Sequence, residues 1–261
     1  MATVAPKPVK HSKASSKPAG GQARFAFSVL FLVNILNYAD RYVLSAILPS
    51  IKHEFHLTDF YGGLLISAFL IVYALSALPL GIWADRSIRK NIIAVCVGIW
   101  SVATALAGFA QNIVQLFSMR AILGIGEAGY GPASLSLLGD FFPRATRGRV
   151  LSFWSIGTLL GAAIGVALGA RIADTLGWRW AFYIVGIPGL IAAFLAWRMI
   201  EPKRGAFDNE VEDIDENDSV QEHGKIGKNF WEIARKLFQI PTYWVLVGAL
   251  IFSFFTIGGT S

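Results

Sequence analysis

The sequence predicts an all-α polytopic membrane protein, and three observations carry that prediction. Apolar residues fill 54% of the 261 positions against 15% charged, with a mean hydropathy of +0.54, which is too apolar for an ordinary soluble domain. Six runs long enough to cross a bilayer follow one another at roughly 25–49, 60–83, 91–110, 113–140, 149–174 and 179–200, with short connections. Lys and Arg alternate between those connections: the tail and the loops near 84–90 and 141–149 are rich in them, while 50–59 and 111–112 hold only Lys52. The positive-inside rule then puts the amino terminus in the cytoplasm, with Arg171 and Arg179 as exceptions near the third outer loop. The net charge of +6 follows this topology, so no nucleic-acid partner is expected. Cys96 is the single cysteine and no zinc-type Cys/His spacing exists, so neither a metal nor another cofactor is expected.

Residues 1–24 hold Lys7, Lys10, Lys13, Lys17 and Arg24 among Ala, Pro, Ser and Gly, the composition of a disordered basic cytosolic tail. The first span, Phe25 to Pro49, has a polar middle: Asn34, Asn37 and Arg41 share one helical face with Asp40 at its edge. A charge at the centre of a membrane helix costs at least about 2.5–3.5 kcal/mol, so these groups face protein, a partner or water rather than lipid. They either bond neighbouring helices or form a functional site.

The fourth span, 113–140, poses the same question, because Arg120 and Glu127 lie within it. Seven residues are two helical turns, so the two side chains share a stripe about 10 Å apart along the axis. Gly124, Gly126, Gly129 and Gly131 open that helix to close approach, and Pro132 is a potential kink. Two readings stand: a structural ion pair that fixes packing, and a gating or proton-binding site. The fifth span carries Gly157, Gly161, Gly165 and Gly169, every fourth residue, a small-residue ridge that needs a partner helix. In the sixth, Trp178, Trp180 and Trp197 fall near the ends, where interfacial anchors belong.

Two loops share a pattern. GIWADRSIRKN (81–91) has Asp85 before Arg86, Arg89 and Lys90, and DFFPRATRGR (140–149) has Asp140 before three arginines. Asp85 is placed to engage a helix end or a nearby arginine, so related cytosolic latches are expected, against the plainer reading of a solvated basic loop. Residues 201–229 form an acidic linker, with eight acids and no Lys or Arg between Phe207 and His223. Phe230, Ile233, Ala234, Leu237 and Ile240 then recur at helical spacing, which predicts a short amphipathic helix over 230–241 lying on the membrane surface. A seventh apolar run occupies 242–261 and reads as a truncated span.

Six spans, a cytosolic linker with an amphipathic helix and the start of a seventh span resemble the first half of a major facilitator superfamily transporter. The loop motif G-x-x-x-D-R-x-G-R-K/R is matched by Gly81, Asp85, Arg86, Arg89 and Lys90, with Ile88 in place of the second Gly. Arg120 with Gly124 matches R-x-x-x-G in span four, and Glu201-Pro202-x-Arg204 resembles the exit from span six. N-Y-x-D-R at 37–41, G-I-G-E-A at 124–128 and EPKRG look most like the Spinster-like branch. The organic anion:cation symporters share much of this pattern.

The resemblance implies a six-helix amino-terminal bundle plus a partial seventh helix, alternating access, and proton coupling through Asp40, Arg120 and Glu127. Asn34, Asn37, Tyr38, Arg41 and Tyr130 are the positions available to a substrate cavity. The Gly81–Lys90 motif is the cytosolic gate, and Gly124, Gly157, Gly161, Gly165 and Gly169 serve packing. The expected partners are the bilayer, protons, an anionic or zwitterionic lipid-like or small organic solute, and a missing carboxy-terminal half or partner chain. A bacterial inner membrane is the expected location. A different class also stands: a non-transporting membrane half-protein that binds a partner. An enzyme is not expected, since the sequence has neither a hydrolase or protease constellation nor a phosphate-binding Gly-rich loop.

Overall fold

The computed structural model describes residues 20–207 and 238–259. It falls into two units, Met1–Asp208 and Asn209–Ser261. The first holds α1 (Gly20–Phe55), α2 (Asp59–Arg86), α3 (Arg89–Ala107), α4 (Ile113–Phe141), α5 (Arg144–Thr175) and α6 (Trp178–Arg198). The second holds α7 (Pro241–Gly259), which covers the seventh apolar run. The amphipathic helix expected over 230–241 lies almost entirely outside the described residues.

All six expected spans are helices. By length and apolarity alone α2, α3, α5 and α6 are able to cross a membrane, whereas α1 and α4 are the helices interrupted by ionisable residues. α1 begins at Gly20, so the last residues of the expected basic tail are helical. Its 36 residues span about 54 Å at 1.5 Å each, so its ends project beyond the hydrocarbon. The breaks have local causes. Asn112 caps α4, its Oδ1 accepting the Gln115 N–H at 2.9 Å. Gly177 (φ 90°) lies between α5 and α6 in a backbone region that suits glycine.

Packing pairs α1 with α5, α3 with α4 and α6, and α2 with α4. Small residues make these crossings close. A Cβ added at Gly161 would run into the Ile35 carbonyl oxygen, and one at Gly165 would lie 2.5 Å from that of Ala39. The α5 ridge therefore has its partner inside this bundle, on α1; helices of a second half are not needed to cover it. Gly124 meets the α2 backbone at Phe69, and Gly126 meets α3 at Cys96 and Trp100. α2 and α5 turn most of their apolar surface outward, with 11% and 17% of their spanning windows buried against 56% for α3.

Two apolar clusters fill the interior. One gathers Ala26, Leu30 and Val33 of α1 with Ile93, Val97, Leu137 and Phe141; the other gathers Val43, Ile47 and Ile51 with Ala107, Leu116 and Phe182. Along α1 the stretch between these clusters is 34–42, which contains the polar middle of the helix.

One tryptophan departs from expectation; of the expected linker only 201–207 lies within the described residues, and its acidic stretch lies outside them. Residues 201–207 are docked rather than free: the Arg204 Nη2 donates to the Ala84 and Ser87 carbonyls at 2.9 and 3.0 Å, and the Gly205 N–H donates to Asp140 Oδ1 at 2.9 Å. Trp180 and Trp197 are exposed as anchors should be, but Trp178 is buried. It packs edge-on to Phe55 and Phe182.

Candidate functional site

Asp40 and Arg41 of α1 and Arg120 and Glu127 of α4 converge at the polar middle of α1. Asn34, Asn37, Asp40, Arg120 and Glu127 are all buried, each 2% exposed or less. The sequence places Arg120 and Glu127 on one stripe; each is paired across to α1. Arg41 Nε donates to Glu127 Oε2 at 2.6 Å, and Arg120 Nη1 stands 3.7 Å from Asp40 Oδ1. The Thr104 hydroxyl of α3 donates to the other oxygen of Asp40. Two acids and two guanidiniums thus balance in charge, which makes burial at this depth tolerable.

Aromatic faces complete the setting. The Arg41 guanidinium carbon lies 5.3, 5.2 and 4.8 Å from the ring centroids of Tyr38, Phe69 and Tyr73, and that of Arg120 lies 5.3 Å from Phe182. Such faces hold a guanidinium without fixing a counter-charge, so Arg41 keeps a favourable seat if its carboxylate is neutralised.

The positions expected to line a cavity divide. A cavity of about 230 Å³ is bounded by Arg41, Tyr42, Ser45, Phe69, Leu70 and Arg120, among others. Arg41 therefore faces it, joined by Arg120 from the proton-coupling set. Asn34 is instead used for packing: its Nδ2 donates to the Trp154 carbonyl at 2.7 Å and to Thr158 Oγ1 at 3.3 Å, both on α5. Tyr130 is buried as well, its hydroxyl donating to the Leu30 carbonyl at 3.0 Å. Asn37 is buried too, and Tyr38 is partly buried.

The loop motif is centred on a different residue from the one the sequence suggests. Asp85 and Arg86 are exposed, and a Cβ at Gly81 would meet nothing within 4 Å. The hub is Arg89, 1% exposed. Its guanidinium pairs with Asp140 at the end of α4 and, at 2.7 Å, with Glu201 beyond α6. It also donates to the Ser136 hydroxyl at 3.0 Å and to the Pro202 carbonyl at 3.2 Å. Lys90 adds its backbone N–H to Glu201 at 3.0 Å and its Nζ to the Met199 carbonyl at 2.8 Å. The ends of α3, α4 and α6 are tied at one point.

The opposite end of the bundle has its own clasp, which sequence reasoning missed. Glu54 at the end of α1 accepts from Trp178 Nε1 at 2.7 Å and from Arg179, whose Nη2 lies 2.7 Å away and also donates to the Ala110 carbonyl at 3.1 Å. Arg179, out of place by the positive-inside rule, has a structural reason to be there. Glu54 lies beyond the spanning part of α1, and the hydrogen bond from Arg179 holds its carboxyl below the ordinary value of 4.5. A depressed carboxyl pKa contributes stability above the unfolded value and loses it as pH falls through the folded one. The clasp is therefore expected to be intact at neutral pH and to weaken below about pH 4.5. Trp178 fluorescence followed from pH 6 to pH 3 checks this; a transition that persists unchanged in Glu54→Gln would assign it to another group.

Comparison with known proteins gives this geometry a family. The sequence profile described as Major Facilitator Superfamily matches residues 30–261. The chain belongs to that superfamily. Its relatives include protein spinster of Drosophila melanogaster, 32% identical over 77% of this chain and 33% of that one. A probable L-galactonate transporter of Escherichia coli (strain K12) is 30% identical over 69% of this chain and 39% of its own. Among solved structures, a bacterial homologue of the human lysosomal transporter Spinster, in an inward-facing and unoccupied conformation, superposes with a TM-score of 0.71. That match is 29% identical and covers 87% of this chain and 51% of the other. The Spinster-like resemblance read from N-Y-x-D-R, G-I-G-E-A and EPKRG is thus borne out. The chain spans 33% of the fly relative and about half the solved structure. Major facilitator proteins are integral membrane transporters rather than enzymes, and the six-helix bundle fits their amino-terminal half.

Proposed function

We propose that this bundle forms one half of a proton-coupled secondary transporter that works by alternating access. The observation that carries the reading is the crossed pairing of Arg41 with Glu127 and Asp40 with Arg120 at mid-depth. Protonating Glu127 removes the charge that holds Arg41 toward α4, and the aromatic seat then lets Arg41 turn to an anion in the adjoining cavity. Asp40 and Arg120 keep their own pair through that change. Loading the proton and loading an anionic group become linked events at one guanidinium. The Arg89 hub, tying α3, α4 and α6, serves as the latch that opens when the halves rock.

Arg41 and Arg120 at the cavity favour an anionic or zwitterionic solute, while Phe69, Leu70 and Ile66 supply an apolar wall suited to a lipid-like tail. The galactonate relative supports a second, small organic anion reading. Placement in a bacterial inner membrane, with the amino terminus in the cytoplasm, fits the distribution of Lys and Arg. Reconstitution into proteoliposomes tests the proposal, with labelled lysophospholipid and galactonate as probes. Accumulation of either one that follows an imposed proton gradient is expected. Movement of both probes indifferent to the gradient would overturn proton coupling.

A further inference from the structure

Around the Arg41–Glu127 pair and Tyr130, the buried polar atoms without a hydrogen-bond partner among the described residues include Glu127 Oε1, Asn37 Nδ2 and Asn34 Oδ1, and Ser134 and Trp154 border the Tyr130 hydroxyl. Their placement is ordered. Glu127, Tyr130 and Ser134 are spaced three and four residues apart on α4, and Arg41, Asn37 and Asn34 have the same spacing on α1, so each set forms one stripe. Arg41 joins the two stripes at Glu127, and the Tyr130 hydroxyl reaches the Leu30 carbonyl, one turn before Asn34 on α1. Trp154 of α5 closes the side: its carbonyl takes the Asn34 amide and its ring lies 6.4 Å from that of Tyr130.

Buried polar atoms are costly to leave unsatisfied, and a water that bridges two to four of them is the usual remedy. Towards the cavity the way to Glu127 passes Arg41. Arg41 occupies its other carboxyl oxygen from the cavity side, and the carboxyl side chain has no exposed surface. Beyond Ser134 the stripe runs into Leu137, Leu138 and Phe141, all buried, with the Arg89 hub alongside them at Ser136 and Asp140.

We propose that Asn34, Asn37, Tyr130, Ser134 and Trp154 form a hydrated file through which Glu127 exchanges its proton with the Arg89 end of the bundle, closed by Leu137 and Phe141. The proposal rests on the coupling role given to Glu127 above. A proton enters from water at that end; each bridging water or hydroxyl accepts one on one side and releases its own on the other. The last transfer turns the Glu127 carboxylate into the acid. The amides and the indole N–H hold the waters and are not themselves protonated. The charged groups facing Glu127 are Asp40 and Arg41 from α1 and Arg120 from α4; α2 contributes Tyr73 beside Arg41, α3 the neutral Thr104, and α5 the neutral Trp154.

Time-resolved infrared spectroscopy of the protein in lipid nanodiscs after a pH jump tests this, reading the carboxylic acid band that Glu127→Gln removes. Asn37→Leu with Ser134→Ala is expected to slow the appearance of the band by about tenfold or more, as misplaced relay groups do. Leu137→Ala, which thins the closure, is expected to speed it. A band with unchanged rates in both variants would overturn the file alone. A wild-type protein with no such band would overturn the file together with the coupling role.

Discussion

Replacing Arg89 with alanine is expected to destabilise the bundle by about 3–5 kcal/mol, the cost of removing one partner from a buried ion pair. The guanidinium reaches Asp140, Glu201, the Ser136 hydroxyl and the Pro202 carbonyl at once. Without it two carboxylates are left at one site without the guanidinium that bridges them, and the ends of α3, α4 and α6 lose their tie. Lysine is not an adequate substitute, because a point charge cannot match a fork that bonds several groups in different directions. Arg89→Lys should therefore fall between the wild type and alanine. Thermal unfolding of the detergent-solubilised protein checks the order. A melting temperature of Arg89→Ala equal to the wild type would show that the hub is not a stabilising contact.

Gly165→Val is expected to cost at least about 1–3 kcal/mol, the ordinary range for overpacking a close-packed interior. A Cβ there would lie 2.5 Å from the Ala39 carbonyl oxygen and 2.9 Å from its Cα, and backbone cannot yield as a side-chain tip does. α1 must move away from α5, carrying Asp40 and Arg41 with it. Gly165→Val should then impair both the melting temperature and gradient-driven accumulation. Gly131→Ala supplies the contrast: nothing lies within 4 Å of its Cβ, so replacing a helical glycine there should raise stability by roughly 0.5–1 kcal/mol. Equal behaviour of the two variants would remove the close-contact explanation of the ridge.

These two sites show what the sequence discloses and what it conceals. The spans are legible because their lengths and apolarity answer directly to bilayer thickness, and the glycine ridge because its period matches the helix. That ionisable groups lie inside α1 and α4 is equally plain. Which acid meets which arginine is not, since Arg120 and Glu127 on one stripe fit a pair within α4 as well as the crossed pairs with Asp40 and Arg41. The choice depends on how α1 crosses α4, a property of the packed bundle. The hub is hidden for the same reason. Arg89, Asp140 and Glu201 come from three segments with no fixed spacing, and nothing in the motif itself singles out Arg89 over the more conspicuous Asp85. Trp178 reads as a membrane anchor in the sequence because end position alone cannot distinguish a ring facing lipid from one packed under Glu54. Thr104 carried no sign at all, being a lone hydroxyl in an apolar helix.

The most direct test of proton coupling is to compare counterflow with gradient-driven accumulation in proteoliposomes carrying Glu127→Gln. Glutamine keeps the size of the side chain and a hydrogen-bond acceptor for Arg41 but neither takes up nor releases a proton. The expected result is that solute exchange down its own gradient persists while accumulation against a gradient is lost. Accumulation at the wild-type level, with the wild-type pH dependence, would contradict the assignment of Glu127 as the coupling group.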